Sequence, residues 1–258
     1  MARPVLLVHG AWHGGWSWAM LQAELDHRGV PSWAIDLPGH GTSTEHMGDL
    51  HADARAVATA SNHLATRHRD AAADEGGDLD DAPARVVLVG HSYGGAVISQ
   101  AARWTNTISD LVYVAAFVLE VGESMNKIAV LDGVPEEPPS LIGHARRRDG
   151  DVLRLDPIEA VPALYGSAPA EVQHAAAARI EPQPITSFTQ AVVEGQHQLS
   201  ASPRASYVRC TDDMCVPLSH QDAMAARCTS VHTLHTDHCP MFSAPAHLAD
   251  IIAHIARA

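Results

Sequence analysis

Lysine is almost missing from this 258-residue chain. Lys127 is the only one, and 17 Lys plus Arg stand against 30 Asp plus Glu for a formal charge of −13. Nucleic-acid binding draws its affinity from clustered Lys and Arg, so a phosphate-backbone partner is excluded. Cysteine is scarce as well. Cys210, Cys215, Cys228 and Cys239 all fall in the last fifth and form no Cys-x-x-Cys pair, which reads as reduced, mostly buried thiols. No apolar run approaches the length of a bilayer span. Met1-Ala2-Arg3-Pro4 leads straight into Val5-Leu6-Leu7-Val8 with no apolar leader segment or cleavage site, so the expectation is a cytoplasmic protein without a membrane partner. Histidine is plentiful. Its 18 copies imply a large change in net charge between pH 7 and 5, a matter of solubility rather than mechanism.

With 46% hydrophobic residues, the length suits one α/β domain carrying an insertion. Short apolar runs alternate with helical patterns, the signature of a mostly parallel sheet flanked by helices. The strands are expected at Val5–His9, Ser32–Asp36, Arg85–Gly90, Asp110–Ala115, Ala205–Cys210 and Val231–His235. Helices are expected at Trp16–Arg28, stopped by Gly29, at His51–Arg67 and at Ala246–Ala258. Arg69–Ala84 is rich in Asp, Ala and Gly and reads as a solvated loop. Residues 117–200 break the repeat and read as a cap inserted into a core of residues 1–116 and 201–258. Within the cap, Asp149-Gly150 signals a hairpin, and Arg146–Arg148 reads as its solvated strand rather than an anion site.

The chemistry centres on Val86-Val87-Leu88-Val89-Gly90-His91-Ser92-Tyr93-Gly94-Gly95, an apolar strand that meets a Gly-x-Ser-x-Gly turn and continues as a helical pattern. Such an elbow strains the serine backbone and requires small flanking residues. Ser92 is therefore the candidate nucleophile. A serine hydroxyl needs a histidine base and an orienting carboxylate, arriving later in the order Ser, Asp, His. His238 is the best base, since it leaves the final strand just before the last helix. His232 and His235 lie within that strand, and side chains three apart on a strand alternate faces, so no metal is expected there. The acid stays open from spacing alone among Asp212, Asp213, Glu120 and Glu123, whereas Asp237 sits too close to His238. The Gly-rich segment His9-Gly10-Ala11-Trp12-His13-Gly14-Gly15-Trp16 is expected to present the Ala11 amide as an oxyanion donor beside that of Tyr93. Trp12, His13 and Cys239 are candidate substrate contacts, although His9 and His13 also read as loop-shaping residues and Trp12 and Trp16 as packing.

These segments resemble the α/β-hydrolase superfamily, in the branch of plant methylesterases, hydroxynitrile lyases and bacterial pyrethroid-hydrolase-like esterases. The likeness also rests on Asp36-Leu37-Pro38-Gly39-His40-Gly41, Cys210-Thr211-Asp212-Asp213 with Val216-Pro217, and Ile180-Glu181-Pro182-Gln183-Pro184. It covers nearly the whole chain. The resemblance implies the α/β-hydrolase fold and assigns the acid to Asp213. Lyases of the branch use a threonine and a lysine where this chain has Ala11 and Cys239, so the resemblance implies ester hydrolysis without a cofactor. The expected ligand is a small, mostly apolar ester, with a homodimer as the assembly to test. A lyase, C–C hydrolase or cyclase on the same scaffold, and a weakly catalytic receptor, are the alternatives.

Overall fold

The computed structural model describes residues 2–74, 85–128, 140–195 and 203–258, with no side-chain description for 72–74. Residues 75–84 of the expected loop, and residues 129–139 and 196–200 of the expected cap, lie outside them.

Among the described residues there are nine strands: β1 Val5–Val8, β2 Ser32–Ile35, β3 Val86–His91, β4 Ile108–Val114, β5 Arg146–Asp149, β6 Val152–Leu155, β7 Gln183–Pro184, β8 Arg204–Cys210 and β9 Ser230–Leu234. Six of them form one sheet in the order β2-β1-β3-β4-β8-β9, and every pairing is parallel. The inner strands β1 and β3 are buried throughout, as continuous Val/Leu runs covered on both faces should be. The outer β2 and β9 are only partly buried, in keeping with their mixed polar sequences.

The helices are α1 Ala19–His27, α2 Leu50–Asp74, α3 Tyr93–Ala101, the single turns α4 Met125–Ile128 and α5 Ile142–Ala145, α6 Pro157–Leu164, α7 Ala170–Ala177, the turn α8 Thr186–Thr189, α9 Leu218–Ala225, the turn α10 Pro240–Ser243 and α11 Pro245–Arg257. Two departures from expectation have local causes. The helix expected from Trp16 begins as a 3-10 turn over Gly15–Trp18, where the Ser17 amide and hydroxyl both bond to the Gly14 carbonyl. The helix expected to stop at Arg67 runs on to Asp74. Arg69-Asp70-Ala71-Ala72-Ala73-Asp74 lacks an apolar stripe, but alanine is the strongest helix former and can extend an anchored helix without one.

Between β4 and β8 the chain builds a second, antiparallel sheet, β5-β6-β7. Its hairpin turns at Gly150 and Asp151, with Gly150 at φ +58°. This sheet rests on the loop after β1: the Trp12 indole N–H donates to the Leu153 carbonyl at 3.0 Å. The parallel strands all end on one side. There β1, β3, β8 and β9 release the loops carrying Ala11, Ser92, Asp213 and His238, the strand edge at which parallel sheets gather ligand-binding loops.

Behind the β3–α3 turn, α2 packs against α3 and places Asp53 against Tyr93, whose hydroxyl donates to Asp53 Oδ2 at 2.6 Å. Burial raises the Asp53 carboxyl from 3.8 to about 7, against the lowering effect of that hydrogen bond. A carboxyl raised on folding binds a proton in the native state that the unfolded chain has already lost, so stability falls as pH climbs from about 4 to 7. Replacing Asp53 by Asn removes this term. Against the wild type, Asp53→Asn is expected to gain up to about 1.4 kcal/mol per pH unit across that window in urea titrations. A pH-independent difference would show that the carboxyl is not held protonated.

Candidate active site

Ser92 sits between strand and helix at φ 51°, ψ −118°, a conformation that holds about 1–3 kcal/mol of strain for a side chain with a Cβ. Its neighbours enforce it. The Ser92 amide donates to the Val114 carbonyl at 3.1 Å, and its carbonyl accepts from Gly95 and Phe117 at 3.0 and 3.2 Å. Small residues make the crossing feasible. A Cβ on Gly90 would lie 2.5 Å from the Gly94 oxygen, and one on Gly94 would lie 2.5 Å from the Val8 oxygen. Tyr93 is the first residue of α3, so its N–H precedes any carbonyl of its own helix and stands at the positive end of the helix dipole.

His238, in the loop after β9, is 1% exposed and bonds through Nδ1 to Asp213 Oδ2 at 2.8 Å. A carboxylate can only accept here, so Nδ1 carries the proton, and in the neutral ring Nε2 is left with a lone pair. Burial opposes a charge on the ring, but the Asp213 carboxylate outweighs it and holds His238 well above its usual 6.5. Asp213 is fixed in turn. Its Oδ1 accepts from the Cys215 and Val216 amides at 2.7 and 2.8 Å, and its Oδ2 accepts from Gln221 Nε2 at 3.1 Å. The other open candidates are placed elsewhere. Asp212 and Glu120 are exposed, and Glu123 pairs with Arg227.

His91 links the base to the elbow. Its Nε2–H donates to the His238 carbonyl at 2.9 Å, and the two rings lie 4.6 Å apart between centroids. Burial and the adjacent His238 keep His91 neutral, with a pKa well below 6.5. Asp237 accepts from the Ser243 hydroxyl and from the Ser167 and Cys239 amides, fixing the loop on the far side. No hydrogen bond joins Ser92 Oγ to His238 among the described residues. In unliganded sites such contacts are often long and tighten with substrate.

The loop after β1 packs directly on the elbow, since a Cβ on Gly10 would meet His91 Nδ1 at 2.8 Å and Ser92 Cβ at 3.1 Å. Ala11, Trp12 and Ser92 line one cavity of about 690 Å³, counted to its open mouth. Trp12 adopts φ 65°, and the inserted segment holds it there: its N–H donates to Gln183 Oε1 at 3.2 Å and its carbonyl accepts from Glu181 at 2.9 Å. His13 and Cys239 are not among the residues lining this cavity. His13 Nδ1–H donates to the Ala11 carbonyl and its Nε2 accepts from the Tyr165 hydroxyl, while Cys239 is fully buried 4.0 Å from His91 Nε2. Sequence reasoning missed Gln183, Gln221 and His91, buried residues that hold the site together. The one signal available for Gln221 was its position eight residues after Asp213, on the first turns of α9.

A nucleophile elbow, a buried His–Asp pair and a Gly-rich loop at the carboxyl edge of a parallel sheet define an α/β hydrolase. A sequence model of the alpha/beta hydrolase family matches residues 5–251, and the chain belongs to that family. Its relatives include a carbendazim hydrolyzing esterase of Nocardioides sp. (strain SG-4G), 38% identical over 161 residues that make up 60% of each chain. Methylesterase 7 of Arabidopsis thaliana is 25% identical over 98% of this chain and 96% of its own. Among solved structures, a pyrethroid hydrolase from Sphingobium faniae JZ-2 superposes with a TM-score of 0.80 at 24% identity, covering 100% of this chain and 98% of that one.

If His238 is the base it works only when neutral, and ester turnover then rises with pH through a midpoint above 6.5. Asp213→Asn removes the largest interaction that raises His238, so the midpoint should move down. The plateau rate should fall by about 10³–10⁴. A pH–rate profile of the two proteins checks both, and an unmoved midpoint would contradict the assignment of Asp213.

Proposed function

We propose that the chain is a carboxylic ester hydrolase working through an acyl-enzyme on Ser92. The observation that carries this reading is the buried His238–Asp213 bond at 2.8 Å, held behind a strained serine at the wall of an open cavity. Ser92 Oγ attacks the ester carbonyl while His238 Nε2 takes its proton. The oxyanion is met by the Ala11 and Tyr93 amides, and the protonated His238, oriented by Asp213, hands the proton to the leaving alcohol. Water then loses a proton to His238 and attacks the acyl carbon; the bond to Ser92 Oγ breaks, Oγ takes that proton back from His238, and the acid leaves. Relatives named as esterases and methylesterases support the same reaction class.

The inserted segment is proposed to act as a cap, for it supplies Phe117, Met125, Ile142 and Phe188 to the cavity that Ser92 shares. Those side chains favour a small ester with a largely apolar body. Neither Ala11 nor Cys239 offers a hydroxyl donor or a cation for cyanide chemistry, and Cys239 lies wholly buried, which favours hydrolysis over a lyase reaction.

A fluorophosphonate probe is expected to label the wild-type protein at Ser92, and p-nitrophenyl butyrate hydrolysis should drop by about 10⁴ or more in Ser92→Ala. Circular dichroism of the variant should be unchanged. Full turnover by Ser92→Ala would overturn the mechanism, and tight ligand binding by the wild type without turnover of any ester would point to a receptor.

A further inference from the structure

One wall of the cavity carries polar groups that the mechanism does not use. His220, on α9, lines the cavity together with Ser92, is 6% exposed, and its Nε2 is buried without a hydrogen-bond partner among the described residues. Buried ring nitrogens are normally paired, so an orphan beside a cavity marks a place for a ligand atom. The ring sits on a firm base. The His220 amide bonds to the Pro217 carbonyl at 2.9 Å, and the next residue, Gln221, is bonded to Asp213, Cys210 and Val216.

Arg146, at the start of β5, lines the same cavity. Its neighbours Arg147 and Arg154 pair with Glu159 and Asp149, whereas Arg146 has no ion pair among the described residues. The two segments that carry His220 and Arg146 are joined: the Leu141 amide donates to the Met214 carbonyl and the Ser140 hydroxyl to the Cys215 carbonyl, each at 2.7 Å. The backbones that carry the two side chains are therefore joined before any ligand arrives, while the Arg146 side chain itself is exposed.

A guanidinium only donates, and an imidazole with its proton on Nε2 also donates, so the group that suits both is an acceptor. We propose that His220 and Arg146 form a recognition site for a hydrogen-bond acceptor carried by the substrate away from its ester carbonyl. The substrate class is thereby narrowed from apolar esters to esters whose apolar body bears such an acceptor. This rests on the ester-hydrolase reading for its chemistry, but not for its binding. A site with a buried donor discriminates against the analogue that leaves the donor unpaired.

Isosteric methyl esters test it in the Ser92→Ala protein by titration calorimetry, where no turnover is needed. Methyl benzoate is compared with the three methyl pyridinecarboxylates, which place a neutral acceptor at each ring position, and with monomethyl terephthalate, which places a carboxylate. The ratio of affinities, acceptor-bearing ester over methyl benzoate, is expected to fall at least about tenfold for one or more of them on adding His220→Phe. His220→Gln, which retains a donor, should restore part of it. A loss on Arg146→Gln confined to monomethyl terephthalate identifies a carboxylate as the acceptor, and a loss confined to a pyridine ester identifies a neutral one. Ratios unchanged for every ester, or no binding of any acceptor-bearing ester, overturns the proposal. Failure of the hydrolase reading appears separately, as wild-type protein that binds these esters and hydrolyses none.

Discussion

The bond between His238 Nδ1 and Asp213 Oδ2 is the interaction on which the site depends. It fixes which ring nitrogen carries the proton, keeps a titratable ring in an otherwise costly buried position, and ties the end of β9 to the end of β8 across 25 residues of sequence. Removing either partner would leave a buried polar group with its desolvation uncompensated. Around this pair the protein spends nearly all its local hydrogen bonding on rigidity: Asp213 accepts four bonds, and Gln221 closes a ring with Cys210 and Val216.

Strain and neutrality are the two further constraints. Ser92 and Trp12 both hold positive φ without being glycine, and both are pinned by bonds to segments distant in sequence. The buried histidines near them are kept uncharged. Burial lowers His9 to about 3 and His13 to about 4, and with His91 also held low, a single ring among this group, His238, is tuned the other way. Of the 18 histidines, these three therefore take no part in the charge change expected between pH 7 and 5.

Much of this architecture was legible from residues alone. The six core strands begin and end within two residues of their expected places, because central parallel strands are continuous apolar runs bounded by turn residues. The Gly-x-Ser-x-Gly turn marked Ser92 because its spacing encodes a backbone collision that glycine alone relieves. The acid was not legible from spacing, since Asp212 and Asp213 are adjacent in the turn after β8, and only its folded conformation buries Asp213 and leaves Asp212 exposed. Gln183, Gln221 and His220 were invisible for a related reason: their roles come from contacts made after the chain has folded. The extension of α2 to Asp74 was missed because an alanine-rich run carries no apolar period.

Acylation of Ser92 during turnover can be observed by trapping the intermediate. Wild-type protein mixed with an excess of a slowly deacylating p-nitrophenyl ester, quenched in acid within the first turnovers and digested for peptide mass mapping, should show the acyl mass on the peptide containing Ser92. Its amount should match the initial burst of p-nitrophenol. Steady turnover with no adduct, or the acyl group found on another side chain such as Cys215, would contradict the account.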